Sequence, residues 1–228
     1  MAKIPAPRTS TTDNTIYEDG RVNDMAGNFD RVINYGYDGF SVSYGVKLGD
    51  GKIVFVKAGL GGDILGYEGK YLRIAERLNE RYGCTVICAS NPAEPKEQTA
   101  IDKHAIERLK EELGRSSYKL FFFGHSNGGI KGLELALCGV SFERMVLVNM
   151  PLMINMFKTK AAISRICDTG VHLIYGALDP SVPYIPFFDG KLANVRATVF
   201  DGADHNFTGF LDEFIALADY LFDSSDGV

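Results

Sequence analysis

Short apolar runs and amphipathic stretches take turns along most of this chain, and that alternation restricts its fold more than any other feature. "TVICAS" (85–90), "YKLFFF" (118–123), "RMVLVNM" (144–150), "VHLIYG" (171–176) and "VRATVF" (195–200) have the length and apolar character of strands. Before, between or after them lie "YEGKYLRIAERLNERYG" (67–83), "QTAIDKHAIERLKEELG" (98–114), "NGGIKGLELALCG" (127–139) and "FLDEFIALADYLF" (210–222). The first of these sets Tyr71, Ile74, Ala75 and Leu78 on one helical face, with Gly83 as a stop. "YKLFFF" is apolar on both faces, as a strand covered from both sides must be. Strands that alternate with helices predict an α/β fold with a mostly parallel sheet and helices on both of its faces.

Upstream, "GFSVSYGVKLGDGKIVFVKAG" (39–59) reads as two strands, and "GDG" between them supplies hairpin-turn residues. An antiparallel N-terminal edge hairpin is therefore expected. Residues 1–28 carry little periodicity and many Thr, Asn, Asp and Gly residues, which predicts a poorly ordered arm. Residues 29–228 show no internal linker and read as a single domain. A net charge of −5 argues against nucleic acid as a partner, because phosphate binding needs a basic surface. No run approaches the length of a membrane span. The opening residues lack the apolar stretch of a secretory signal, so a cytoplasmic location is expected. Cys84, Cys88, Cys138 and Cys167 form no CxxC pair and read as buried, reduced thiols, with no metal expected.

The chemistry concentrates in "FFFGHSNGG" (121–129). Gly124-x-Ser126-x-Gly128 lies between a central strand and a helix, the pattern of a nucleophile elbow. In such a turn the serine is held under strain, and residues two before and two after it must be small. Serine needs a base to take its proton. Of four histidines, His104 lies in an amphipathic helix and His172 in a strand. His125 should point away around the turn. His205, in "DGADHNF" (201–207), follows the last strand and reaches the same sheet edge as Ser126. The base needs an orienting carboxylate, and Asp179 in "YGALDPSVP" (175–183) stands just beyond a late strand. Asp204 adjoins His205, but chain neighbours rarely face one another well.

Ser126, Asp179 and His205, in that order and each at a strand end, resemble the α/β-hydrolase superfamily from about residue 40 onward. The resemblance implies the α/β-hydrolase fold and a serine hydrolase, carboxylesterase-like, with a catalytic triad, an acyl-enzyme intermediate and no cofactor. It also implies an oxyanion hole made by the backbone N–H groups of Asn127 and Leu60, the latter in "KAGLGGD" (57–63), which resembles the HG-x-G loop. Ala58 departs from that pattern, standing where a histidine is common. A simple flexible loop is the other reading of Gly59, Gly61 and Gly62. The expected substrate is a small ester or thioester. The rival readings are an acyltransferase or peptidase on the same residues, or a binding protein that keeps the fold without turnover.

Only "MPLMINMFKTKAAISRICDTG" (150–170) separates two late strands, which leaves no room for a cap domain. An open site is expected, and Met153, Met156, Phe157, Val182 and Tyr184 are candidates for an acyl pocket. The alternative is a helix packed on the sheet. The oligomeric state is not legible in the sequence.

Overall fold

The computed structural model describes residues 16–18, 29–37, 39–94, 97–114 and 118–223. Among them nine strands form one sheet: β1 (Tyr17–Glu18), β2 (Arg31–Tyr37), β3 (Phe40–Lys47), β4 (Lys52–Lys57), β5 (Thr85–Ala89), β6 (Lys119–His125), β7 (Arg144–Val148), β8 (Gly170–Gly176) and β9 (Val195–Phe200). Their order is β1-β2-β3-β5-β4-β6-β7-β8-β9. From β5 to β9 the sheet is parallel. β1, β2 and β3 form an antiparallel edge.

The strand residues divide between two cores by simple alternation. Ile53, Phe55, Leu120, Phe122, Met145 and Leu147 face one side. Val54, Val56, Phe121, Phe123, Val146 and Val148 face the other. The first face is covered by α2 (Gln98–Glu112), α3 (Asn127–Leu137) and α4 (Met156–Arg165). The second is covered by α1 (Lys70–Tyr82) and α5 (Leu211–Ala216), which continues as a 3-10 turn over Leu217–Leu221. α1 buries Tyr71, Ile74, Ala75 and Leu78, the expected stripe. Gly83, at φ 63°, ends it by donating its N–H to the Asn79 carbonyl.

Two expectations are corrected. The strands flanking "GDG" are not hairpin partners: β5 lies between β3 and β4. The connection is instead clamped to the start of β5. The Gly49 N–H donates to Thr85 Oγ1, whose hydroxyl donates to the Gly49 carbonyl, and the Asp50 N–H reaches the Gly83 carbonyl. A Cβ at Gly49 would meet two carbonyl oxygens at 2.5 Å, so only glycine fits this crossing. The edge hairpin is β2–β3, turned at Gly39 with φ 79°. The cysteines also divide: Cys84 and Cys88 are buried, but Cys138 and Cys167 are exposed free thiols. Cys138 caps the surface end of α3, and Cys167 follows α4. Most of the expected N-terminal arm lies outside the described residues; its Tyr17–Glu18 segment pairs with β2. No helix among the described residues is long and apolar enough to cross a membrane.

Candidate active site

Parallel strands carry the loops after β4, β6, β7, β8 and β9 to one edge of the sheet. Ser126 sits between β6 and α3 at φ 53°, ψ −126°. A Cβ at Gly124 would lie 2.8 Å from the Gly129 nitrogen, and one at Gly128 would lie 2.3 Å from the Lys57 carbonyl oxygen. The glycines are thus demanded by close backbone approach on both sides of the serine. Asn127 opens α3, and a first-turn N–H has no carbonyl four residues back to satisfy it.

The structure brings Ser126, His205 and Asp179 into one hydrogen-bonded series. Ser126 Oγ lies 2.9 Å from His205 Nε2, and His205 Nδ1 lies 2.5 Å from Asp179 Oδ2. A carboxylate only accepts, so Nδ1 carries the proton and Nε2 is free to accept from the serine hydroxyl. Asp179 is 3% exposed, and its other oxygen accepts the Ser181 N–H at 2.7 Å. Asp204 takes no part. Its Oδ1 accepts the N–H groups of Asn206 and Thr208 at 2.9 Å, and those bonds lower its pKa.

Four residues that sequence reasoning did not place in the site hold these loops. Asn149, at the end of β7, donates its side-chain amide to the carbonyls of Asp204 and His205 at 3.1 and 2.8 Å, and accepts the Gly176 N–H at 2.9 Å. His125 does turn away from Ser126. Its Nε2 lies 3.0 Å from the His205 carbonyl and so carries a proton, leaving Nδ1 to accept from the Tyr71 hydroxyl at 3.3 Å. That hydroxyl in turn accepts the Gly59 N–H at 3.2 Å. Burial and the neighbouring Lys70 push the His125 pKa down to about 3, so its ring is neutral. Asn91, fully buried, clamps the loop after β4: its amide donates to the Ala58 carbonyl at 2.9 Å and to Asn127 Oδ1 at 3.1 Å. The Asn91 backbone also exchanges hydrogen bonds with Gly61 and Gly62. No periodicity announces contacts of this kind, which join residues tens of positions apart. His172 and His104 are elsewhere: one bonds Thr198, the other packs edge-on against Tyr35.

Every non-glycine residue with positive φ among those described lies at this edge: Glu68, Ser126, Asn149 and Phe207. Backbone strain gathered in one place is a feature of functional sites. A cavity of about 280 Å³ opens at Ser126, lined by Gly59, Leu60, Tyr67, Lys70, Tyr71 and His205 among others. None of the five acyl-pocket candidates lines it. Phe157 and Met153 are exposed, while Met156, Val182 and Tyr184 pack against the core on the α4 side of the sheet. α4 lies across α3, so its segment borders a groove with α3 and not the serine. Among the described residues no cluster of three His, Cys, Asp or Glu is arranged to hold a metal ion.

No protein-family model matches the sequence, and no curated protein matches it. Solved structures do. An alpha-beta serine hydrolase homologue from Coxiella burnetii superposes with a TM-score of 0.66 at 13% identity, covering 86% of this chain and 98% of that one. A dienelactone hydrolase from Anabaena variabilis gives 0.60 at 19% identity, covering 80% and 91%. A serine hydrolase without lid from Xanthomonas campestris gives 0.57 at 15% identity, covering 79% and 87%. The chain has the α/β-hydrolase fold.

Proposed function

We propose that this protein is a serine hydrolase that cleaves carboxylic ester or thioester bonds of small acyl substrates. The observation that carries the reading is the series Ser126 Oγ, His205 Nε2, His205 Nδ1, Asp179 Oδ2, with links of 2.9 and 2.5 Å. Such a series on its own suits acyl transfer. The shared fold with serine hydrolases supports it.

In this reading His205 Nε2 takes the proton of Ser126 as Oγ attacks the substrate carbonyl carbon. The carbonyl oxygen becomes an oxyanion, received by the backbone N–H groups of Leu60 and Asn127. Losing one such donor slows reaction by about 10²–10³-fold. The imidazolium then gives its proton to the departing alcohol or thiol, leaving an acyl group on Ser126. Water attacks that acyl group, His205 again takes and returns a proton, and the acid leaves. Asp179 keeps the Nδ1–H tautomer and steadies the charged ring. Ala58 at the usual histidine position does not interrupt these steps, because Asn91 and Tyr71 hold the loop by other bonds.

A cavity of about 280 Å³ suits a short acyl chain. The test is a series of p-nitrophenyl esters from acetate to palmitate, with Ser126→Ala as control and a fluorophosphonate probe for Ser126. Turnover greatest at short to medium chains, lost in the alanine variant, is expected. Wild-type turnover by the alanine variant, or a folded protein that neither labels nor hydrolyses any ester or thioester, overturns the reading.

A further inference from the structure

Lys70 takes no part in the steps above, yet it lines the cavity at Ser126 and a wider cleft of about 1000 Å³ beside it. It is the first residue of α1 and is 7% exposed. Its ammonium lies 4.6 Å from the centre of the Phe214 ring and 5.3 Å from that of Tyr71. No carboxylate pairs with it among the described residues. Three carboxylates line the cleft: Asp212 is taken by Arg73 at 2.6 Å, and Glu68 and Glu213 make no ion pair with Lys70.

The other deeply buried lysine among the described residues gives the contrast. Lys57 has Asp102 at 2.7 Å and the Ser90 carbonyl at 2.8 Å, so its charge is answered within the protein. The charge of Lys70 is answered only by two aromatic faces, which compensate a desolvated cation in part. Burial lowers its pKa to about 8, which still leaves it mostly protonated at neutral pH. A buried cation that borders a cavity and lacks a counter-ion is matched by an anion entering that cavity. Ser126 lines the same cavity, so the anion belongs to the molecule whose carbonyl meets the serine. One ammonium beside two rings suits a monoanion, and the small cavity keeps the charge a few bonds from the scissile ester.

We propose that Lys70 forms an anion subsite and that the enzyme takes esters bearing a carboxylate a few bonds from the scissile bond. The proposal rests on the serine-hydrolase reading and narrows its substrate class. The carboxylate stays intact; the ester bond breaks as described above, and Lys70 holds the anion without exchanging a proton.

Two substrate pairs test it, each differing by a carboxylate in place of a methyl group. Monoethyl succinate against ethyl butyrate places the charge on the acyl side. 3-Acetoxypropanoate against propyl acetate places it on the alcohol side. Turnover is followed by pH-stat for wild type, Lys70→Met and Lys70→Arg. In at least one pair, Lys70→Met should lower the ratio of kcat/KM, charged over neutral, by about 10- to 100-fold, mostly through KM. Lys70→Arg should restore part of that ratio. In parallel, binding of the two charged esters to Ser126→Ala, with and without Lys70→Met, is read by ligand-observed NMR. Hydrolysis with both ratios unmoved by Lys70→Met overturns the subsite and spares the hydrolase reading. Lys70-dependent binding without turnover by wild type does the reverse. Neither binding nor turnover overturns both.

Discussion

The side-chain amide of Asn149 donates to the main-chain carbonyl of His205 at 2.8 Å, tying the end of β7 to the loop after β9. The same side chain accepts the Gly176 N–H at the end of β8, so one residue sets the spacing of three strand ends. Asn149→Asp replaces a donor with an acceptor that faces two carbonyls. It should lower ester turnover by at least about tenfold and destabilise the fold by about 1–3 kcal/mol, the range for a buried polar group left unsatisfied. Denaturant melts and kcat/KM check both. Wild-type values in each would remove Asn149 from the set of positioning residues.

Asp179→Asn should be far more damaging than Asp204→Asn. The first loses the acceptor that selects the His205 tautomer, a change expected to lower kcat by about 10⁴-fold. The second touches a side chain whose bonds stay within its own loop, to Asn206 and Thr208. Parallel kinetics on the two variants decide the order. If Asp204→Asn were the worse, the acid would have to be reassigned.

Ser126→Gly should stabilise the protein while abolishing turnover. The φ of 53° suits glycine and strains any other residue, a strain of about 1–3 kcal/mol. Ser126→Ala keeps the strain and should gain nothing of the kind. A melting temperature for the glycine variant at or below that of the alanine variant would show that the elbow stores no such energy.

Tyr71→Phe removes the hydroxyl that joins the Gly59 N–H to His125. It leaves the amide and the ring nitrogen without that partner and loosens the loop that carries Leu60. Turnover should fall by about tenfold, at a stability loss of about 1–2 kcal/mol. His125 stays neutral above its pKa of about 3, so the Tyr71→Phe defect should not vary between pH 5 and pH 8 through that ring. The ratio of wild-type to variant kcat, followed across that range, is the measurement.

Lys70→Met should raise stability at neutral pH, on the order of 1 kcal/mol, by removing a poorly compensated buried charge. The sign of its pH dependence follows from the depressed pKa. Folded, Lys70 releases its proton near pH 8; unfolded, near about 10.4. Between those values the unfolded chain binds more protons, so wild-type stability gains relative to the variant as pH rises. The advantage of Lys70→Met should therefore shrink from pH 8 to pH 10. Denaturant melts of both proteins across that window test it, and a constant difference would contradict the depressed pKa.

The sequence by itself determined the layered α/β class, because period-two and helical patterns report which face of an element is buried. It also determined the candidate trio, because Ser126, Asp179 and His205 each follow a strand, and the ends of parallel strands meet at one edge. The glycines around Ser126 were legible for the same reason: the turn's demands are local. Only the tertiary structure decided that β5 enters between β3 and β4, since periodicity names a strand's faces and not its neighbours. It alone decided that Asn91, Tyr71, His125 and Asn149 hold the loops, through side-chain bonds between elements far apart in sequence. Of the acyl-pocket candidates in residues 153–157, Met153 and Phe157 face solvent and Met156 packs on the core, because their segment docks against α3, a contact that no local pattern encodes. Lys70 reads as an ordinary first-turn lysine until Phe214, 144 residues later in the chain, covers it and leaves its charge at the cavity wall.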